Sequence, residues 1–274
     1  MPSQFWDEER AERYKGFRYE FPEKTLAGRT VIVAGGTGGL GAATAALLAR
    51  EGAAVVAGFR SNRARAETLQ RAIEEQFGQK ISLVGGDISK AETRRAFLDA
   101  VQKTKTPLAG AAIFPGDPAR VAFDALDRDA LLSGLEANYV GPLLLAKEIG
   151  QAMEQSDEGS IVLLASMQAV GIFPSSLNYA VSKAALVHAA RILAQQWRRV
   201  RVNVVAPGAT MAGMGAESIR SGKYDKYVEN GAITRFGHPE DVARAVRFFL
   251  EPGGYATGQL LVADGGLTLR RDRG

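Results

Sequence analysis

The chain has 274 residues, of which 46% are hydrophobic and 23% are charged, with a formal net charge of +4. The absence of cysteine excludes disulfides, thiolate metal sites and cysteine nucleophiles, and with only two histidines we expect no metal centre. Basic residues are interspersed with acidic ones, so no nucleic-acid partner is expected. Because no apolar run is long enough to span a bilayer and the polar segment 1–12 is not typical of a signal peptide, we expect no membrane contact and a cytoplasmic location.

Strand-like apolar runs alternate with helix-like stretches from residue 28 to residue 270. The predicted strands are Thr30–Ala34, Ala54–Phe59, Ile81–Gly85, Leu108–Phe114, Ser160–Ala165, Val200–Val205 and Gln259–Val262. The predicted helices are Leu40–Glu51, Ala64–Phe77, Ala91–Lys103, Leu131–Gln155, Tyr179–Arg198 and Pro239–Leu250. This alternation predicts one α/β domain over residues 28–270, with a mostly parallel sheet of about seven strands and helices on both faces.

The N-terminal extension, residues 1–27, stands outside this pattern. We expect its aromatic residues to pack on the domain or on a partner subunit, with a contact to substrate as the alternative; they are Phe5, Trp6, Tyr14, Phe17, Tyr19 and Phe21. The charged tail, residues 270–274, is expected to fray.

A glycine-rich loop follows the first predicted strand and leads into the first predicted helix. A dinucleotide pyrophosphate needs backbone that approaches closely without Cβ atoms, and it gains from free N–H groups at a helix start. A glycine cluster alone is weak support, but its position between strand and helix is the required one. We therefore expect Gly35, Thr37, Gly39, Leu40 and Gly41 to bind a dinucleotide.

The end of the second predicted strand bears on the choice of cofactor. A site that prefers NAD usually places an acid here for the ribose 2′-hydroxyl, but the chain has Phe59. Arg60 follows and can pair with a 2′-phosphate, while Ser61 can add a hydrogen bond. We therefore expect NADP(H) rather than NAD(H), the alternative being that residues 60–63 form only a solvated loop and helix start.

The third predicted strand ends near a second pair of candidate cofactor residues. Asp87 and Ile88 are placed to contact the adenine. A helix-capping role for the neighbouring Ser89 is an equally good interpretation of this segment.

Four residues form the predicted catalytic group. Tyr179 and Lys183 are four apart on a predicted helix, so they share one face, and Ser166 follows the fifth predicted strand. A free tyrosine titrates near pH ~10, and a neighbouring ammonium favours its phenolate form, which makes Tyr179 a usable acid/base. Ser166 would hold the substrate oxygen, Lys183 would also bind the nicotinamide ribose, and Asn138 would hold a water that links Lys183 to solvent.

These motifs, in this order, resemble the short-chain dehydrogenase/reductase family from about Leu26 to Leu267. Further pieces of the resemblance are Gly159–Val162 before Ser166, Arg201–Asn203, Pro207-Gly208, Arg235–Ala243, Thr257–Gln259 and Asp264–Gly266. The resemblance implies a Rossmann-like doubly wound parallel sheet and a Ser/Tyr/Lys/Asn tetrad at 166, 179, 183 and 138. It also implies Pro207 and Gly208 beside the nicotinamide, and a homodimer or homotetramer.

Three positions depart from the family pattern. Ala34 stands where the family usually has Thr or Ser, and Ile113–Gly116 replaces the usual Asn-Asn-Ala-Gly. Ala212 replaces the usual Thr after Pro207-Gly208. We expect these changes to affect the pocket around the cofactor rather than the acid/base chemistry.

The predicted function is NADP(H)-dependent hydride transfer between nicotinamide and a carbonyl or alcohol, of ketone or 3-oxoacyl type. The alternative from another class is a protein that senses NADP(H) without turnover; an enoyl reductase is disfavoured because those relatives usually separate Tyr and Lys more widely. Residues 209–234 are expected to form a lid, with Met211 and Met214 as an adaptable apolar wall. For its cations Arg220, Lys223 and Lys226 we favour solvation of a lid helix over contact with an anionic substrate.

Overall fold

The computed structural model describes residues 7–16, 22–156 and 158–270 and contains one seven-stranded sheet. The strand order is β3-β2-β1-β4-β5-β6-β7, and every pair is parallel. The strands are β1 Thr30–Ala34, β2 Ala54–Phe59, β3 Ser82–Gly85, β4 Leu108–Ile113, β5 Gly159–Leu164, β6 Val200–Pro207 and β7 Leu260–Ala263. The order reverses between β1 and β4, which is the crevice where open parallel sheets bind ligands.

Helices connect successive strands and cover both faces of the sheet, and further short helices lie before β1 and after β7. In chain order the helices are α1 Glu8–Lys15, α2 Gly39–Arg50, α3 Arg63–Phe77, α4 Ala91–Thr104, α5 Arg128–Leu135, α6 Gly141–Met153, α7 Leu177–Gln196, α8 Ala216–Arg220, α9 Asp225–Glu229, α10 Pro239–Leu250 and α11 Leu267–Arg270. The predicted doubly wound, Rossmann-like fold is therefore confirmed. The predicted strands are all present with ends shifted by a few residues, and so are the predicted helices except the one over 131–155.

Two apolar layers hold the helices to the sheet. On one face Leu48 of α2, Ile73 of α3 and Phe249 of α10 are buried against the strands. On the other face Phe97 of α4 and Ile149 of α6 are buried in the same way, together with α7. The central strands are buried along their whole length, which is why they read as continuous apolar runs rather than as alternating ones.

The helix predicted over 131–155 is interrupted rather than continuous. Residues 136–140 form a turn of π-helix between α5 and α6, and Asn138 lies at its centre with no exposed surface. A π turn inserts one extra residue into the helical ladder and often marks a functional site. Hydrophobic periodicity does not register one inserted residue, so the sequence did not reveal the interruption.

The end of the N-terminal extension packs into the domain. Leu26 is completely buried in the layer that holds α2 and α10, and Thr25 Oγ1 accepts a hydrogen bond of 3.0 Å from Arg247 Nη2. The predicted packing of Phe5, Trp6 and the three aromatics of 17–21 falls outside the described residues, as do the side chain of Tyr14 and most of the C-terminal tail. In the described ranges no helix is long and apolar enough to cross a membrane.

Candidate functional site

Two adjoining cavities open at the carboxyl edge of the sheet. The first has a volume of about 610 Å³ and is lined by the residues that follow β1, β2, β3 and β4. The second has a volume of about 170 Å³ and lies against the ends of β5 and β6. Leu40, Phe114 and Met214 line both cavities, so the two spaces meet at these side chains.

The glycine loop lines the first cavity and is held in shape by close backbone contacts. Gly35 has a φ of 74°, which favours glycine, and a Cβ there would lie 3.1 Å from the Cβ of Phe114. A Cβ on Gly41 would collide with the carbonyl oxygen of Gly35, and one on Gly39 would lie 2.5 Å from the nitrogen of Gly213. Gly39 and Gly41 are therefore required by the packing of the protein itself, because a Cβ on either would overlap neighbouring backbone.

The start of α2 faces the first cavity with free backbone donors. Ala42 donates its N–H to the carbonyl of Gly38, and no side chain caps the helix. The preceding amides of residues 39–41 thus have no intrahelical acceptor, and the helix dipole favours an anion beside them. All three of these residues line the cavity.

The segment after β2 and the first turn of α3 each place one arginine on the first cavity. Arg60 lies there, 78% exposed, with its Nη2 3.5 Å from Oδ2 of Asp87. Arg65 lies there too, and its Nε donates a hydrogen bond of 2.8 Å to the carbonyl of Thr37 in the glycine loop. Phe59 is buried with its ring close to Gly85, so it presents no acceptor to a ribose hydroxyl.

The loop after β3 closes another side of the first cavity. Asp87 accepts the N–H of Ser89, and this hydrogen bond is the largest cause of a lowered pKa for the Asp87 carboxyl. Buried Arg94 of α4 donates through Nη1 to the carbonyls of Ile88 and Ser89, at 3.0 and 2.9 Å. Its Nε also donates to Glu148 at 2.7 Å, so the loop is attached to α6 through one buried cation.

The second cavity brings together the predicted catalytic residues Ser166, Tyr179 and Lys183 with Pro207 and Gly208. The hydroxyl of Ser166 lies near the phenol of Tyr179 and acts to lower the pKa of that phenol. Lys183 is 2% exposed, and its Nζ donates a hydrogen bond of 2.8 Å to the carbonyl of Leu164, the last residue of β5. Helix α7 thus presents both residues of the i, i+4 pair to one cavity, as their spacing predicts.

The two titratable groups shift in directions set mainly by burial. Desolvation lowers the pKa of Lys183 to about 8, because it penalises the charged ammonium. Desolvation also raises the pKa of Tyr179, while the hydrogen bond from Ser166 opposes that rise. The net shift of the Tyr179 pKa is upward, opposite to the direction expected from the neighbouring ammonium, because burial is its largest cause; the Nζ of Lys183 lies 6.0 Å from the ring centroid of Tyr179.

Asn138 is connected to this group through the backbone after β4. Its Oδ1 accepts the N–H of Asp117 at 3.0 Å, and its Nδ2 donates to the carbonyl of Gly134 at 3.0 Å. A Cβ on Gly116 would lie 2.7 Å from that Oδ1 and 3.1 Å from the Nζ of Lys183. Asn138 lines neither cavity and holds the backbone of the segment beside Lys183, and its link to solvent through a water stays a prediction.

The three departures from the family pattern lie around the junction of the cavities. Ala34 is buried and its carbonyl accepts the N–H of Phe114. Phe114 lines both cavities and, with Pro115, packs against Gly35. The Cβ of Ala212 would lie 2.7 Å from a Cβ on Gly39. Phe114 thus shapes the pocket as expected, and Ala212 brings the predicted lid, residues 209–234, into contact with the glycine loop.

The sequence analysis did not single out several side chains that line the cavities, among them two arginines and a glutamine. Arg65 lines the first cavity, and Arg120 and Gln168 line the second. Oε1 of Gln168 is buried and, within the described ranges, is the one such side-chain atom without a hydrogen-bond partner. Its position two residues after Ser166 is a usable signal, whereas nothing in the sequence connects Arg120 with α7.

Comparisons with known proteins agree with this architecture. A family model described as "Enoyl-(Acyl carrier protein) reductase" matches residues 34–268. The chain is 33% identical to Carbonyl reductase family member 4 of Danio rerio, over 88% of this chain and 98% of that protein. It is 31% identical to 3beta-hydroxysteroid dehydrogenase 1 of Eggerthella lenta, over 89% and 95% of the two chains. A solved structure of 7 alpha-hydroxysteroid dehydrogenase complexed with NADH and 7-oxo glycochenodeoxycholic acid superposes with a TM-score of 0.83 and 26% identity, covering 90% of this chain and 98% of that one.

The chain belongs to the short-chain dehydrogenase/reductase family. The resemblance found in the sequence is thereby confirmed, and so is membership of a family of oxidoreductases that use nicotinamide cofactors. The relatives include hydroxysteroid dehydrogenases, carbonyl reductases and 3-oxoacyl-[acyl-carrier-protein] reductases, so family membership alone does not select a substrate.

The contact between Gly39 and the lid predicts the effect of one methyl group. In Gly39→Ala the new Cβ would overlap the backbone at Gly213, so we expect segment 209–215 to move away from α2 and to exchange its amide hydrogens faster. Hydrogen–deuterium exchange on the free protein measures this.

The matched control is Gly38→Ala, whose Cβ has only one neighbour within 4 Å, the carbonyl oxygen of Gly35 at 3.3 Å. Faster exchange of segment 209–215 in Gly38→Ala to the same extent as in Gly39→Ala would contradict the explanation by this contact.

Proposed function

We propose that the protein is an NADP(H)-dependent oxidoreductase that transfers a hydride between nicotinamide and a carbonyl or alcohol carbon. One observation carries the proposal: Ser166, Tyr179 and Lys183 converge in a small cavity that adjoins a much larger one suited to a dinucleotide. A volume of about 610 Å³ lies within the ~300–1,000 Å³ typical of ligand and cofactor pockets.

The residues of the first cavity fit a dinucleotide phosphate. Free amides at the start of α2 are donors for the pyrophosphate, with Gly35, Thr37 and Leu40 beside them. Asp87 and Ile88 would contact the adenine end. Towards the second cavity, Tyr179, Lys183, Pro207 and Gly208 would contact the nicotinamide and its ribose.

The acid/base step follows from the neighbouring groups on α7 and β5. The bound cofactor supplies a hydride to the carbonyl carbon. Tyr179 gives its phenolic proton to the carbonyl oxygen, and Ser166 donates a hydrogen bond that holds this oxygen beside the phenol. Lys183, kept in place by the carbonyl of Leu164, stabilises the phenolate that forms when the proton leaves. The same groups act in reverse for oxidation, with Tyr179 taking the proton.

The competing proposal is an NADP(H) sensor without turnover. A sensor has no need of a phenol, a hydroxyl and a buried ammonium in one cavity, and keeping Lys183 there costs desolvation free energy. The enzyme is therefore the better explanation of the second cavity.

Substitution of the phenol tests the chemistry. In Tyr179→Phe we expect kcat/KM for NADPH-dependent reduction to fall by at least ~10²-fold, because the general acid is lost, while the Kd for NADPH stays within a few-fold. The measurement is NADPH oxidation with ketones, 3-oxoacyl thioesters and hydroxysteroid ketones as substrates, together with a fluorescence titration of the cofactor.

Tyr224→Phe is the matched control, since Tyr224 lines the same cavity on the lid. Tight NADPH binding with no turnover across all three substrate classes would contradict the proposed enzyme and favour the sensor. Turnover of an enoyl thioester alone would move the reaction from the C=O to the C=C bond.

The preference for NADP(H) is proposed from the cations after β2. Arg60 and Arg65 both line the first cavity, and Ser61 lies beside them. The buried ring of Phe59 offers no carboxylate to a 2′-hydroxyl. Hydrogen bonds to charged groups contribute about 1.5–3 kcal/mol each, enough to select a phosphate over a hydroxyl.

Charge removal at residue 60 tests this preference. In Arg60→Gln we expect the Kd for NADPH to rise about 10- to 100-fold while that for NADH changes little, and Arg60→Asp should exaggerate the difference. Arg63→Gln serves as control, since Arg63 lies 5.5 Å from the ring of Phe59 and does not line the cavity. Equal losses for both cofactors in Arg60→Gln would remove the proposed phosphate contact.

The pKa of Lys183 predicts an alkaline limit for reduction. The ammonium is protonated below its pKa of about 8 and loses its charge as the pH rises through that value, so its stabilisation of the phenolate is lost. We expect kcat/KM for reduction to fall above about pH 8, and in Lys183→Met the residual activity should lack this limb. The control, Lys226→Met, changes a lid lysine outside both cavities and should keep the fall in kcat/KM above about pH 8. If Lys183→Met shows the same fall, the titrating group is not Lys183.

We also propose a homodimer or homotetramer in the cytoplasm. Helix α7 exposes Leu177, Val181 and Ile192 by 44%, 55% and 48%, and α5 exposes Leu131 and Leu132. Such apolar faces commonly mark subunit interfaces. Light scattering at micromolar concentration should give a multiple of 29.2 kDa that Ile192→Glu lowers; a wild-type monomer would contradict the assembly.

A further inference from the structure

The second cavity combines the acid/base group with two cations and no carboxylate. Arg120 comes from the segment after β4 and Lys223 from the lid, and both line the cavity that holds Ser166 and Tyr179. No aspartate or glutamate is among the described residues that line it. The first cavity differs, since acidic side chains lie on its wall at 87, 117 and 136.

The cations of the second cavity are not neutralised by the protein. Within the described ranges Arg120 has no acidic partner within 4.0 Å, and its Nη2 contacts Oγ of Ser218 on α8 at 3.3 Å. Lys223 has no ion pair there either, and its Nζ lies 5.8 Å from the ring centroid of Tyr224. Burial raises the pKa of the Tyr224 phenol while the charge of Arg120 opposes the rise, so Arg120 and Lys223 both lie near this one ring.

Two other basic residues of the lid differ from Lys223 in their position, although the sequence alone gave no reason to distinguish the three. Arg220 forms an ion pair with Glu217 at 3.0 Å, and Lys226 lies over Tyr227. Neither Arg220 nor Lys226 lines a cavity, so they fit the solvated role expected for the lid. Lys223 is exposed as well, but it lines the cavity that holds Ser166 and Tyr179.

We infer that the substrate is a small oxo acid or hydroxy acid, whose carboxylate is bound by Arg120 and Lys223 while Tyr179 acts on its oxygen. This inference rests on the proposed function and names the class of its substrate. An arginine matches a carboxylate with two parallel donors, and a lysine adds a mobile point charge.

The size of the cavity limits the distance between the two ends of this substrate. A volume of about 170 Å³ is below the ~300–1,000 Å³ of sites for larger ligands. A substrate that fits within this cavity has its carboxylate only a few bonds from the reacting carbonyl. Since Arg120 contacts α8 and Lys223 belongs to the lid, a carboxylate between them also holds the lid against the segment after β4.

Pairs of substrates that have the same carbon chain but differ in charge test the inference on the full-length protein with NADPH. We compare 2-oxo, 3-oxo, 4-oxo and 5-oxo carboxylates of four to six carbons, each with its neutral methyl ester. For the best chain length we expect kcat/KM to be at least about 10-fold higher for the acid than for the ester. Arg120→Gln and Lys223→Gln should each lower kcat/KM for the acid about 10- to 100-fold, while kcat/KM for the ester should change only a few-fold. Arg220→Gln is the matched control and should keep the preference for the acid.

Binding measurements keep this outcome separate from that of the proposed function. We titrate the same acids and esters into the protein–NADP⁺ complex by calorimetry at 0.15 M salt. Acid binding that Arg120→Gln weakens, without reduction of any compound, supports the carboxylate site and removes the proposed chemistry. Equal reduction of acid and ester supports the proposed chemistry and overturns the inference, as does failure of every acid to bind more tightly than its ester.

Discussion

The hydrogen bond from Lys183 Nζ to the carbonyl of Leu164 is the interaction on which the site depends. It joins the middle of α7 to the end of β5, and it leaves a cation that is 2% exposed beside a phenol. An ammonium in this position loses most of its hydration, which lowers its pKa to about 8. This hydrogen bond fixes the face of α7 that carries Lys183 and Tyr179 against the end of β5. Phenol, hydroxyl and ammonium therefore share a single small cavity.

Parallel strand order explains why groups distant in the chain meet there. Every strand ends at the same edge of the sheet, so the segments after β1 to β4 surround the larger cavity and those after β5 and β6 surround the smaller one. Close backbone contacts then define the junction between the two cavities. Gly39 allows the lid to touch α2, and Gly116 fits between Asn138 and Lys183, where a side chain would displace one of them.

Charge is distributed unequally over the surface and the two cavities. Many arginines outside the cavities are neutralised by nearby acids, as in Arg29–Glu158 and Arg235–Asp241. Arg65 and Arg120 contact a carbonyl and a hydroxyl instead, so each keeps its full charge available to a ligand. One lies where the 2′-phosphate is proposed to bind and the other where the substrate carboxylate is proposed to bind, so both proposals rest on an arginine without an acidic partner.

Local patterns in the sequence were sufficient to predict the fold and to place Tyr179 and Lys183 on one face of a helix. Buried parallel strands appear as uninterrupted apolar runs such as Thr30–Ala34, and residues four apart on a helix, such as Tyr179 and Lys183, must share a face. Only the tertiary structure decided the π turn at Asn138, the raised pKa of Tyr179 and the position of Arg120 beside Lys223. The reason is physical: a helical ladder, a desolvation free energy and an electrostatic field depend on atoms brought together from distant parts of the chain, and no window of neighbouring residues contains them.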